Sequence, residues 1–215
     1  MTPMEPISTD EKKREIVFFV QLVGLTQFYQ REALLCFEAK ALFAAGILIA
    51  SALESVLLER CLLDKIKIIK SITWKSLNKT EGTSFVETLQ QNRGVTLNTL
   101  LSLAKELEWF PTGPISNETT SKLIENLGEN NRCYILEWLR DYPSGDELFQ
   151  ETSALARESR NYIHPAVCIR EGIKIESKIG KRTFVFVMVV LSLLQVKIDQ
   201  MYKAVTAKPL CEERL

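Results

Sequence analysis

The stretch Ala41 to Leu58 constrains the fold of this chain more than any other. Apart from Gly46, Ser51, Glu54 and Ser55, every position in it is apolar. Ala41, Ala44, Ala45, Gly46, Ala50 and Ala52 stand among leucines and isoleucines, and such small side chains let a neighbouring helix approach closely. A helix over 40–69 is therefore expected to be the central element. The apolar run 41–53 is interrupted by Glu54, and a second run, 183–196, is shorter than the roughly 18 to 20 residues a membrane span needs. Buried helices of a bundle account for both, and no membrane is called for.

With only nine glycines and seven prolines in 215 residues, and apolar runs of helical period, the chain reads as all-α. We expect an up-and-down bundle of about five to seven helices in one domain over 10–206, with loose tails at 1–9 and 207–215. Ser8 followed by Glu11 reads as a capping box for a first helix running to about Phe37. The middle of that helix, Ile16 to Leu25, is apolar on nearly every side, which implies contact with more than one neighbouring helix or with a second subunit. Gly24 is a place where it could bend. Residues 71–94 lack clear periodicity and read as a loop with at most one short helix. Thr96 offers a cap for a helix over 97–110, and Asn117 for one or two helices between 118 and 141, interrupted near Gly128. Asp146 opens the next helix. After it, the alternation Ile173 and Ile175 is compatible with a small hairpin, and a last apolar helix is expected over 181–206.

Lysine plus arginine balance aspartate plus glutamate at 27 each, so no global field draws an anionic partner. Between Arg157 and Arg182, however, seven basic residues stand against three acidic ones. That region forms a basic pole suited to phosphate, although such runs are more often solvated surface. Five widely spaced cysteines without a Cys-x-x-Cys pair, together with one histidine, do not match the usual zinc patterns, and no metal or other cofactor is expected. The start of the chain lacks the basic and apolar regions of a secretion signal, so a reduced, cytoplasmic protein is expected.

The single histidine, His164, lies in the stretch Arg157-Glu158-Ser159-Arg160-Asn161-Tyr162-Ile163-His164-Pro165. On a helix, Arg157 and His164 fall within roughly 20° of one another, with Asn161 roughly 40° to one side and Arg160 roughly 60° to the other. Leu148, Leu155, Ser159 and Tyr162 cluster opposite, so one face packs and the other presents polar groups. Pro165 disfavours helical backbone for the residue before it and should leave the imidazole at a helix end. A histidine in such a place can equally be satisfied by nearby backbone carbonyls, with no chemistry to perform. In the second helix, Ser51 and Glu54 share a face within an apolar run, and a buried acid there needs a cation or donor. Arg157 or Arg160 is the expected partner.

An arginine followed by four to six residues and a histidine, near the end of a helix in a small all-α bundle, resembles the signature of HEPN domains (higher eukaryotes and prokaryotes nucleotide-binding). Arg157 and His164 fit that spacing, and Arg-Asn-Tyr-Ile-His-Pro is similar to the text of uncharacterised prokaryotic members. Family members often carry Asn, Asp or His directly after the arginine. Here Glu158 follows Arg157, while Asn161 follows Arg160, which leaves open which arginine serves. Ala50-Ser51-Ala52-Leu53-Glu54-Ser55-Val56-Leu57-Leu58 resembles the second-helix pattern of HEPN-like proteins, with an acid facing the arginine-histidine helix.

The resemblance implies a metal-independent endoribonuclease, with Arg157 and His164 catalytic, Glu54 and Asn161 orienting the arginine, and Arg160 on the phosphate. One imidazole supplies a base but no acid, so a two-fold homodimer with the site at its interface is expected. RNA is the expected substrate, in a toxin-antitoxin or antiviral defence setting with an antitoxin or other defence protein as partner. Helical modules of this kind also serve as non-catalytic RNA-binding or nucleotide-binding units, or as protein-interaction subunits.

Overall fold

The computed structural model describes residues 9–77, 82–90, 95–110 and 113–161. Its first two helices follow directly from the apolar pattern: α1 spans Thr9–Glu38 and α2 spans Leu42–Leu63. Gly24 does not interrupt α1. The chain reverses between them through a left-handed residue, Lys40, at φ 60. The Lys40 N–H donates to the Phe37 carbonyl at 3.0 Å and the Ala41 N–H to the Cys36 carbonyl at 2.8 Å. This pairing satisfies carbonyls that the end of α1 would otherwise leave open. Because the connection is so short, α2 returns along α1 and the two form an antiparallel hairpin.

Twelve residues of α2 are buried, among them Ala45, Ile49, Ala52, Leu53, Val56 and Leu57, and α1, α6 and α9 all pack on it. By length and composition α2 could cross a membrane, with a mean hydropathy of 1.8 in its most apolar window. Its burial under the helices around it is what a bundle core requires. The expected helix over 40–69 is in fact broken: Asp64 leaves helical geometry and a short α3, Lys65–Lys70, follows. At the break the Arg60 Nε donates to the Asp64 carboxylate at 3.0 Å, with both side chains mostly buried. Lys65 then ties the hairpin together, its ammonium reaching Glu15 and, at 3.2 Å, Glu11 of α1. Partial burial pulls the Lys65 pKa down, but the two carboxylates outweigh it and the net shift is upward.

Residues 71–94, expected to hold at most one short helix, hold two among the described residues, α4 (Ile72–Lys75) and α5 (Phe85–Gln90). Each has a serine cap. Ser71 Oγ accepts from the Trp74 N–H at 3.1 Å, and Ser84 and Glu87 form a reciprocal capping box. Trp74 and Phe85 meet with ring centroids 4.8 Å apart, which ties both short helices to the core.

The helix expected over 97–110 ends early, as α6 at Leu97–Glu106, although Thr96 caps it as expected. Glu108 takes φ 51, and the Trp109 N–H donates to the Ala104 carbonyl at 3.0 Å, the same kind of terminus that ends α1. The physical reason is burial: leaving the helix carries Trp109 and Phe110 into the core. Next come α7 (Asn117–Leu127), a single turn of 3-10 helix after Gly128, and α8 (Arg132–Asp141). The interruption falls at Gly128 as expected, with φ 85. The cap is Ser116 and not Asn117, its Oγ accepting from the Thr119 N–H at 3.1 Å. The last described helix is α9, Gly145–Asn161. Among the described residues there is no strand, only one isolated bridge between Pro114 and Ser144. The protein is all-α over this range. The Ser8 cap, the hairpin at 166–180, the helix at 181–206 and the C-terminal tail lie outside the described residues.

Candidate functional site

Helix α9 carries the arginine of the sequence motif, and its fixing in the fold can be followed residue by residue. It begins at Gly145, one position before the expected Asp146, because Ser144 supplies the cap. The Ser144 Oγ donates to the Glu147 carboxylate at 2.9 Å and accepts from the Glu147 N–H at 3.3 Å. A capping box of this kind satisfies backbone donors that would otherwise be open at a helix start. The Gly145 N–H also donates to the Gly113 carbonyl at 3.2 Å, and the Ile115 N–H to the Pro143 carbonyl at 3.3 Å. These bonds join the entry of α9 to the chain ahead of α7.

One face of α9 is buried through Leu148, Phe149, Thr152, Ser153, Leu155 and Ala156. Phe149 stacks on Phe110 with centroids 4.1 Å apart and an interplanar angle of 29°. Thr152 returns its hydroxyl proton to the Leu148 carbonyl at 2.8 Å, so its burial leaves no open donor. Gln150, Ala154 and Arg157 are exposed on the other side. The division agrees with the expected one for Leu148 and Leu155 against Arg157. Arg160 and Asn161 belong to the last turn of α9. His164 and Pro165 lie outside the described residues.

Glu54 is half-buried on α2, in a groove between α1, α2 and the end of α5. The groove has a volume of ≈ 380 Å³ and is lined by Ser51, Glu54, Ser55, Tyr29, Phe18 and Leu58 among others. Ser51 Oγ donates to the Ile47 carbonyl and Ser55 Oγ to the Ser51 carbonyl, each at 3.1 Å. Glu54 is held by an interaction within the fold.

Two buried polar groupings beneath these surfaces escaped the sequence reading. Between α1 and α2, Thr26 donates to the Glu59 carboxylate at 2.6 Å, both side chains being almost fully buried. At the end of α2, the Arg60 guanidinium lies 5.7 Å from the centroid of the Trp109 ring, while its Nε holds Asp64. Burial, and then the Asp64 charge, push the nearby Cys61 thiol well above its ordinary range, which keeps it protonated and unreactive. The signal for both groupings was available: Glu59, Arg60 and Asp64 are charges in or at the end of an apolar helix, and such charges need partners.

Comparison with protein-family models, with curated proteins and with solved structures finds no match to this chain.

Proposed function

We propose that this chain is a metal-independent endoribonuclease of HEPN type, with Arg157 and His164 at its centre and a HEPN-like up-and-down bundle as its scaffold. The observation that carries the reading is the presentation of Arg157: exposed on a helix whose opposite face is buried and whose start is capped. An arginine presented in this way can meet a phosphate with the planar fork of its guanidinium.

In the proposed reaction the His164 imidazole takes the proton of an RNA 2′-hydroxyl, and the 2′-oxygen attacks the adjacent phosphorus. Arg157, with Arg160, balances the charge that builds on the phosphorane, and Glu54 and Asn161 orient the arginine. The 5′-oxygen leaves with a proton from a second imidazole, which a two-fold homodimer supplies. The products are a 2′,3′-cyclic phosphate and a 5′-hydroxyl. The setting is a toxin or defence system in the cytoplasm, with an antitoxin or other defence protein as regulator.

The test is incubation of the wild type and His164→Ala with mixed single-stranded RNA in EDTA, followed by end-group analysis. Cleavage by the wild type that leaves a cyclic phosphate, lost in the variant while its melting temperature holds, is the expected result. Intact RNA with both proteins overturns the reading.

A second reading, a protein-interaction subunit of the same kind of system, is favoured by one observation. The outer side of α1 exposes Ile16, Val17, Val20, Phe28, Leu34 and Leu35, each at least 42% accessible. An apolar patch of that extent is a common mark of a docking surface. Under this reading RNA is neither cut nor bound, and substitutions along α1 abolish association with the partner.

A further inference from the structure

The bend between α3 and α4 carries a surface that neither reading of the function uses. Asp64, Ile68, Ser71 and Trp74 are all buried, and their spacing of three or four residues makes them one inward stripe along the segment. The positions between them face out: Ile66, Lys67, Ile69, Lys70, Ile72 and Lys75 are all exposed. Residues 65–76 contain four lysines and no acidic residue. Lys65 turns to Glu11 and Glu15 of α1, which leaves three lysines interleaved with three isoleucines. Two carboxylates border this surface. Asp64 holds the Arg60 Nε and lies 3.7 Å from the Lys67 ammonium, while Glu106 accepts from the Ile72 and Thr73 N–H groups at 2.6 and 3.0 Å. With Asp64 offset by Arg60, one glutamate against three lysines leaves the outward charge positive.

We infer that this bend docks on the surface of an anionic lipid membrane. The lysine heads meet the charged headgroups, their aliphatic stems lie beside the isoleucines, and the isoleucines enter the acyl boundary. Charge and apolarity together select this partner. A nucleic acid offers the isoleucines nothing, and Trp74, the one ring of the segment that could stack on a base, is buried. An acidic protein would need a matching contour. Ile72 is 79% accessible and stands clear of its neighbours, so fluid acyl chains close around it where a rigid partner would have to be shaped to it. The contact is peripheral and calls for no membrane span. It suits a protein of the cytoplasm, where the facing leaflet carries anionic lipid.

The inference stands apart from RNA cleavage, because its test reads membrane binding alone. Full-length wild type is sedimented with phosphatidylcholine vesicles containing about one third phosphatidylserine and with pure phosphatidylcholine vesicles, at about 0.1 M and about 1 M salt. Three double variants follow, each checked by thermal melting: Ile66→Ser with Ile72→Ser, Ile66→Leu with Ile72→Leu, and Lys70→Gln with Lys75→Gln. The expected result is binding to the anionic vesicles at least tenfold tighter than to the neutral ones, and weakened by high salt. The serine pair is expected to weaken binding at least tenfold and the glutamine pair severalfold, while the leucine pair retains it. Absence of binding to anionic vesicles, equal binding to neutral ones, or unchanged affinity in the folded serine or glutamine pair overturns the inference. Loss in the glutamine pair with full binding by the serine pair marks a general polyanion surface and overturns it as well.

Discussion

Helices α1 and α9 solve the problem of burial in opposite ways. Along α9 the large apolar residues lie on one side, and the structure covers Leu148, Phe149 and Leu155 while exposing Asp146, Glu147, Gln150 and Arg157. Along α1 the apolar residues go all the way round. Leu22 and Ala33 are buried on the side that packs on α2, whereas Ile16 and Val20, on the opposite side, are 65% and 63% accessible. A segregated helix announces its orientation; a helix that is apolar all round announces only that it wants more than one neighbour.

The comparison can be broken most severely at α9. Leu148 is 1% accessible in the shared core, and Leu148→Ala is expected to cost about 2 to 5 kcal/mol, the range for emptying a well-packed site. Urea denaturation gives the value, and a loss below about 1 kcal/mol would mean that α9 is not seated as described. On the α2-facing side of α1, Thr26→Val removes a donor from the buried Glu59 carboxylate at nearly constant volume. A cost of about 1 to 3 kcal/mol is expected, read from the same urea denaturation. The smallest effect is expected on the outer side of α1. Val20→Ser should change stability by less than about 0.5 kcal/mol while that face meets water. A loss above about 1 kcal/mol in the same denaturation experiment would reveal a covering element and would make the two helices alike.

Much of the local structure was legible because its causes are local. Thr96 caps α6, Gly128 separates α7 from α8, and the apolar positions of α9 mark its buried face, all through interactions within a few residues. The capping box of Ser84 and Glu87 is equally local, yet it went unread because the short α5 behind it lacks enough turns to show a period. The early end of α6 was not legible. Leu107 and Phe110 continue its apolar stripe, and only the gain from seating Trp109 and Phe110 in the core outweighs one more turn of helix. Of the candidate site, the exposure of Arg157 followed from its helical phase, whereas the groove around Glu54 did not, because Phe18, Tyr29 and Leu89 reach it from helices distant in the chain.

By itself the sequence determined that this protein is helical, where most of its long helices begin, and which side of α9 carries the arginine. Those properties depend on backbone caps and on side-chain period, which act over one or two turns. Only the tertiary structure decided that α1 leaves one apolar side uncovered, that α2 breaks at Asp64, and that Ser51, Glu54 and Ser55 line a groove. These outcomes depend on which surfaces meet, and the free energy of a contact between distant segments is not written in either segment alone.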